Sequence, residues 1–278
     1  MRYQAMLAGA TMCSLLSGTA LAGAVITLKT TGSDEAATST ISLESDRLRM
    51  SNPQEEIIYR TDLHKVWMIH PSDHTYRELT PESMQQMRSQ MSAAMAQMQQ
   101  SLQSMPPEQR KQIEAMMAKR GMPAGGPAQP RQVTWTKAGG SKTVGQWSCT
   151  PYKMSVNGVE QVTMCIAKLS EVGLTRDDLK AFISFGSFMQ QGLAGVAAQA
   201  GALYDFDAMS KQIGFDGVPV ETTHAEPGGR EEIVGTLQSV EHKSIPADAF
   251  ELPAGYTKQE MPPMGPRGMP SGGRPPAE

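Results

Sequence analysis

A series of short strand-like segments near the N-terminus is the feature that most constrains the fold of this chain. Between residues 23 and 79, runs such as "TSTISLES", "RLRMS", "EEIIYRTD" and "KVWMIHP" are separated by turn residues at a spacing of about 8–12 positions. Ile41, Leu43, Leu48 and Met50 alternate with polar neighbours, which is the period of strands with one buried face. The spacing predicts an antiparallel meander that needs a cover on one side.

The first residues are typical of an export signal. Residues 1–22 carry Arg2, continue as an uncharged run of small and apolar residues, and end in Ala20-Leu21-Ala22. This pattern predicts a secretory signal peptide that is cleaved before residue 23 and takes Cys13 with it. We therefore expect a periplasmic protein, or alternatively a secreted one, with no integral membrane span in the mature chain.

The hydrophobic period changes at the segment "TPES", residues 80–83. It supplies an N-cap threonine, a proline at the first helical position and an acid in the first turn, which together predict the start of a helix. The prolines at 106–107 should end this helix and open a second one. We interpret residues 80–120 as a helical insertion in the sheet, followed by a Gly/Pro-rich linker at 121–131.

The inserted helix carries a stripe of methionines. At helical spacing its apolar residues share an arc of roughly 80°; they are Met84, Met87, Met91, Met95, Met98, Leu102 and Met105. Three interpretations remain open: core packing, since Met fills irregular gaps; an adaptable apolar surface for a ligand; and a copper(I) site of thioethers. The absence of nearby His or Cys and the continuation through Leu102 disfavour copper.

A second apolar stripe follows the helix-start signal of Thr175, Asp177 and Asp178. It continues in steps of three and four through Leu179, Phe182, Gly186, Met189, Leu193, Val196, Ala200 and Leu203. We expect both helices to cover the sheet with these faces. The candidate ligand-contacting residues are Met84, Met87, Met91, Met95, Met98, Phe182, Met189 and Leu193.

The mature chain retains two cysteines, Cys149 and Cys165. An even number in an exported protein favours a disulfide, and a redox pair would more often have C-x-x-C spacing. The "NG" at 157–158 lies between them and predicts a hairpin. A three-residue loop that pairs Ser155 with Val159 would place the cysteines opposite each other, so we expect that loop.

Composition and motifs argue against several classes of function. The net charge of −3 gives no basic excess for nucleic acid. Motifs of hydrolases, zinc proteases, P-loop enzymes and dinucleotide-binding enzymes are absent. His70 and His74 flank the turn "PSD", which favours a solvated turn over a metal site. We expect no enzymatic activity, no catalytic residues, no metal site and no cofactor.

The C-terminal part reads as a final hairpin, "FDGVPVETTHAE" and "REEIVGTLQSVEHKSI", and an irregular "PADAFELPAGY". Residues 258–278 are rich in Pro, Gly and Met and predict a disordered tail. Residues 23–257 should therefore form one domain that contains the helical insertion.

The order of several motifs resembles an exported bacterial family known as domain of unknown function 4412. The motifs are "RLRM" before "IIYRTD", then "KVWMIHPSDHTYRELTPE", "TVGQWSCTPYKM", "GFDGVPVE" and "SIPADAFELPAGY", and they span most of residues 24–257. That family resembles the periplasmic lipoprotein carrier and its outer-membrane receptor (LolA/LolB-like). Their incomplete antiparallel β-barrel is closed by helices on its concave face and can hold acyl chains. The resemblance implies no catalytic residues.

The residue patterns and the family resemblance predict the same architecture. We predict an α+β protein with an incomplete antiparallel β-barrel, a curved sheet of about ten strands whose one face is covered by helical insertions. The predicted function is non-enzymatic binding or carriage of an amphipathic or acyl-chain ligand. The alternatives are a copper(I)-handling protein, or a structural module of the cell envelope that binds a protein partner and uses the tail as a tether.

Overall fold

A computed structural model describes residues 23–31, 36–109, 111–112, 132–192, 205–225 and 231–260. Thirteen strands in these residues join one sheet. They are β1 (Gly23–Thr31), β2 (Ala36–Leu43), β3 (Arg47–Ser51), β4 (Glu56–Arg60), β5 (Lys65–His70), β6 (Thr75–Leu79), β7 (Val133–Lys137), β8 (Lys142–Val144), β9 (Trp147–Val156), β10 (Val159–Lys168), β11 (Gly217–Ala225), β12 (Glu231–Lys243) and β13 (Thr257–Lys258).

Four α-helices have defined bounds in the same residues. They are α1 (Pro81–Ser104), α2 (Leu169–Val172), α3 (Lys180–Gly192) and α4 (Phe206–Ile213). Single 3-10 turns follow β5 at Pro71–Asp73 and β12 at Ala247–Phe250. In the former, His74 follows the turn in a left-handed conformation, with φ of 50°.

The helical insertion begins where the sequence predicts. The side-chain oxygen of Thr80 accepts a hydrogen bond from the backbone N–H of Ser83, and the Ser83 hydroxyl accepts one from the backbone N–H of Thr80. This reciprocal cap satisfies two N–H groups that a helix start leaves unpaired, and Pro81 needs no partner there. Most of the predicted second helix, the linker 121–131 and the signal segment 1–22 lie outside the described residues.

The sheet is larger than the sequence predicts, and it does not close. Its strand order is β13-β6-β5-β4-β3-β2-β1-β12-β11-β10-β9-β7, with β8 paired to β9. All described pairings are antiparallel except that of β13 with β6. The protein is thus α+β with a curved, unclosed and mostly antiparallel sheet. Because Lys258 pairs with Tyr76, the sheet also extends one residue into the segment predicted as the tail.

A row of fully buried side chains runs across the first six strands on the face that the helices cover. Its members lie directly opposite one another in successive strands and are at most 3 % exposed; they are Ala24, Leu43, Leu48, Tyr59, Val66 and Leu79. The same core cluster includes Tyr152 and Ile166 from the other half of the sheet. Both halves therefore turn the same face towards one core.

The opposite face of β4 to β6 has its own cover, supplied by the C-terminal segment. Phe250 is completely buried and packs with Ile58, Trp67 and Ile69 in a separate cluster. The guanidinium of Arg49 donates to the carbonyl of Ala249 at 3.4 Å. The irregular segment "PADAFELPAGY" is therefore a fixed part of the fold, and it shields one outer patch of the sheet.

The hairpin between the cysteines differs from the predicted one. Val156 pairs with Val159 across a two-residue loop, in which Asn157 and Gly158 have φ values of 52° and 80°. These angles are those of a type I′ turn, whose twist matches that of the flanking strands. The predicted three-residue loop is therefore wrong.

The predicted disulfide is nevertheless present. A bulge between Glu160 and Val162 shifts the register by one further residue, so Cys165 pairs with Pro151, two positions from Cys149. The bond between Cys149 and Cys165 is diagonal across β9 and β10, with the Cα atoms 5.4 Å apart. Direct opposition of the two residues is thus not required for this bridge.

Glu78 ties the C-terminal strand to the sheet, which predicts an acid-sensitive contact. Its carboxylate accepts hydrogen bonds from Lys258 at 2.8 Å, Trp67 Nε1 at 3.1 Å and Lys65 at 3.3 Å. Lys258 contributes most to lowering the pKa of Glu78 below its ordinary value, and partial burial opposes it. A lowered folded-state pKa stabilises the protein at neutral pH, and this contribution is lost as the pH falls through the folded-state pKa.

We expect Glu78→Gln to reduce the free energy of unfolding at pH 7 by about 1 kcal/mol. The difference between wild type and variant should shrink as the pH falls below about 4, the ordinary range for a glutamate. Urea unfolding at several pH values measures it. Glu241→Gln, which removes the exposed partner of Lys243, is the control and should change little. A Glu78→Gln deficit independent of pH would contradict the assignment.

Candidate functional site

A second row of apolar side chains lies beside the buried row on the helix-covered face. One residue from each of the strands β1 to β5 contributes, and each lies directly opposite the next; they are Ile26, Ile41, Met50, Ile57 and Met68. We call this set the apolar row. Ile26 is buried, whereas the other four pack against the core and stay partly exposed. Water therefore reaches the part of the apolar row that crosses β2 to β5.

Helix α3 covers the buried row through Tyr59. The Tyr59 ring lies 5.5 Å from the rings of both Phe185 and Phe188, and its hydroxyl is hydrogen-bonded to Ser184 at 2.9 Å. Phe185 is 2 % exposed. These contacts fix one face of α3 on the sheet, because Tyr59 is held by apolar contacts and by a hydrogen bond at once.

Helix α1 packs beside α3. Met84 is 3 % exposed and belongs to the main core, and Met87 is 8 % exposed. The guanidinium of Arg88 donates to the carbonyl of Gln191 in α3 at 3.4 Å. For Met84 and Met87 the structure thus favours packing, the first of the three interpretations.

The other predicted ligand-contacting residues are distributed unevenly. Phe182 and Met189 are partly exposed and pack against the core from α3. The side chains of Met91, Met95 and Met98 and the whole of Leu193 lie outside the described residues. The predictions for those four residues therefore stay predictions.

Arg77 stands at the end of the apolar row. It lies directly opposite Met68 on β6, and therefore on the same face of the sheet. Its Nη1 is 3.4 Å from Nε2 of His70, and its Nη2 donates to Oε1 of Gln259 at 3.3 Å. The Nε atom of Arg77 and the hydroxyl of neighbouring Thr75 are buried and lack a hydrogen-bond partner among the described residues.

The other arginines of strands β1 to β6 are paired with carboxylates. Arg49 binds Glu56 through both carboxylate oxygens at 2.9 Å. The hydrogen bond to Asp62 raises the pKa of Arg60, which also pairs with Glu251. Among the residues that the structure describes, Arg77 forms no such ion pair within 4.0 Å, which distinguishes it from its neighbours.

A polar groove of about 220 Å³ lies on β9 to β11, on the face of the sheet that the helices do not cover. Lys142 and Glu221 pair at 2.5 Å there, and Lys153 pairs with Glu160 at 2.8 Å. The groove therefore satisfies much of its own charge.

Within the described ranges, no group of three or more His, Cys, Asp or Glu side chains could hold a metal ion. None of the helices described is both long and apolar enough to cross a membrane.

Sequence reasoning missed Phe185, the apolar row as a unit, and Arg77. The alternation of Ile41, Leu43, Leu48 and Met50 identifies their shared face, but not which residues of other strands stand opposite them. The signal available for Arg77 was its place in "TYREL", where period two puts it on one face with Thr75 and Leu79.

The comparisons with known proteins identify a family without an assigned activity. Residues 72–256, which are 185 of the 278 residues, match the family model described as "Domain of unknown function (DUF4412)". The chain belongs to this family, as its motifs predict. Among proteins with curated functions, none has a sequence that matches this chain.

A solved structure with a similar outline is the crystal structure of an "uncharacterized conserved protein from Thermus thermophilus". The two proteins share 5 % sequence identity and a TM-score of 0.41, over 85 % of this chain and 88 % of that chain.

Proposed function

We propose that this member of the DUF4412 family binds the acyl chain of an amphipathic ligand along the apolar row, as a non-enzymatic carrier or binding protein of the cell envelope. The observation that carries the proposal is the partial exposure of four neighbouring apolar side chains on the face that also holds the main core. Exposed apolar residues occur singly on most surfaces, whereas a contiguous strip is typical of a binding site.

The dimensions of the row suit a long hydrocarbon chain. Five strands have four spacings of about 4.8 Å, so the row is roughly 19 Å long. Each buried methylene group would contribute about 0.8 kcal/mol, reduced by the loss of ligand freedom. Two of its four partly exposed members are methionines, Met50 and Met68, whose flexible side chains adapt to ligands of different shape.

The half-barrel form of the sheet and the export of the chain belong to the same proposal. The curved, unclosed sheet with α1 and α3 on one face supports a concave site. The disulfide between Cys149 and Cys165 fits an oxidising compartment such as the periplasm. The copper(I) and tether alternatives have no described contact in their favour, because Met84 and Met87 are packed in the core and residues 261–278 lie outside the described part.

The proposal predicts that polar substitution in the row weakens ligand binding. We expect the double variant Met50→Gln/Met68→Gln to bind cis-parinaric acid, a fluorescent fatty acid, about tenfold more weakly, because each change exposes the chain to a polar group and removes apolar contact. Fluorescence titration measures the affinity, and native mass spectrometry of the wild type should show retained lipid.

The matched control is Leu63→Gln, since Leu63 is 43 % exposed in the turn between β4 and β5. This variant should bind the probe as the wild type does. Equal affinity of wild type and double variant would overturn the proposed site. A wild type that repeatedly purifies empty and also rejects the probe would overturn the function.

A further inference from the structure

The buried polar atoms at the end of the apolar row point to a second component of the ligand. Nε of Arg77 and the hydroxyl of Thr75 are both buried and lack a hydrogen-bond partner within the described residues. Each buried unsatisfied polar group of this kind costs about 1–3 kcal/mol. Arg49, Thr61 and Ser210 also hold one such atom each, but only those of Thr75 and Arg77 lie on one strand and one face.

The guanidinium of Arg77 is also incompletely neutralised. Its two described contacts are long, at 3.3 and 3.4 Å, and neither partner, Gln259 or His70, is a carboxylate. A partly buried cation without a counter-ion attracts an anion strongly, because the local dielectric constant is lower than that of water. The remaining N–H groups of a guanidinium form a planar fork that suits carboxylate or phosphate oxygens.

The position of this cluster relative to the row completes the argument. Arg77 lies directly opposite Met68, so their Cβ atoms are about 5 Å apart on the same face. Thr75 lies directly opposite His70, two residues further along the same two strands and on the same face. An acyl chain on the row would bring its polar end to these side chains.

We infer that Arg77, with Thr75, binds the anionic headgroup, carboxylate or phosphate, of the ligand whose acyl chain occupies the apolar row. The inference rests on the proposed function and narrows it to anionic amphiphiles. Arg77 supplies the charge and a donor, the Thr75 hydroxyl supplies a further hydrogen bond, and the apolar row supplies most of the affinity.

Three ligands with the same hydrocarbon chain separate headgroup from chain: oleyl alcohol, oleate and oleyl phosphate. Isothermal titration below the micelle concentration should show that at least one of the two anions binds about tenfold or more tightly than the alcohol, because charge-assisted hydrogen bonds are roughly twice as strong as neutral ones. Preference for oleate or for oleyl phosphate identifies which anion the site takes.

Arg77→Gln should bring the affinity for the preferred anion down to that for the alcohol, and Arg77→Lys should keep part of the preference. Lys29→Gln is the matched control, because Lys29 is exposed on the outer face of β1 and its loss changes the net charge equally. Thr75→Val tests the hydroxyl separately and should weaken anion binding several-fold, in case Arg77→Gln fails to fold.

These measurements distinguish failure of the headgroup site from failure of the proposed acyl-chain binding. Equal binding of all three ligands, or an anion preference that survives both Arg77→Gln and Thr75→Val, would overturn the headgroup site and leave the acyl-chain site standing. A preference lost equally in Lys29→Gln would show a net-charge effect and would also overturn it. Absence of binding by all three ligands would overturn the proposed function and this inference together.

Discussion

Phe185→Ala should destabilise the protein by about 3–5 kcal/mol, the range for removing a fully buried aromatic side chain. Phe185 fixes α3 on the sheet through Tyr59, whose ring centroid is 5.5 Å away. Its loss would open a cavity in the main core under α3, and the surrounding backbone of a strand and a helix can close only part of it. Urea unfolding followed by circular dichroism measures the change.

Two further variants test why Phe185 matters. Phe182→Ala, three residues earlier on a partly exposed part of α3, should have less than half the effect. In the folded wild type the Phe182 side chain stays partly in water, so less apolar area is buried on folding than for Phe185. Tyr59→Phe removes only the hydrogen bond with Ser184 and should lower stability by about 1 kcal/mol. Equal losses for Phe185→Ala and Phe182→Ala would contradict the described orientation of α3.

Removal of the disulfide should have the second large effect, about 3 kcal/mol in the chain-entropy model for a separation of 16 residues. The double variant Cys149→Ala/Cys165→Ala avoids leaving a buried free thiol. Because β9 and β10 are also joined by a tight type I′ turn and by a pairing ladder that one bulge interrupts, we expect the hairpin to re-form without the bond, so the loss is one of stability and not of fold.

Reduction of the wild type provides the control for the cysteine variant. Wild-type protein unfolded in dithiothreitol should lose nearly the same free energy of unfolding as the double variant, and the double variant should be insensitive to the reductant. An unchanged unfolding midpoint in reductant, with the bond shown to be broken by thiol titration, would contradict a stabilising role.

Features that depend on adjacent residues were predictable from the sequence. The cap at Thr80 and the helix start at Pro81 follow from four consecutive residues. The hairpin at "NG" follows from two, although the three-residue loop predicted there is wrong. The family assignment follows from short motifs in a fixed order. For the cap and the hairpin the physical cause lies within one turn, so no knowledge of distant contacts is needed.

Features that depend on pairing between distant strands were not predictable. The bulge after Glu160 changes which residue faces Cys165, and nothing in the local pattern marks it. The apolar row exists because the registers of four successive strand pairs agree, and Arg77 joins it only through the pairing of β5 with β6. On α3 the predicted stripe missed Phe185, because the contact with Tyr59 decides how the helix is rotated.

The most direct test of the acyl-chain site is the ¹³C-methyl spectrum of methionine-labelled protein during an oleate titration. The account predicts that the methyl signals of Met50 and Met68 shift or broaden at ligand concentrations that saturate the site. The signal of Met154, which is buried in a separate cluster on β9, should stay in place. Unchanged Met50 and Met68 signals in the presence of bound oleate would contradict the central claim.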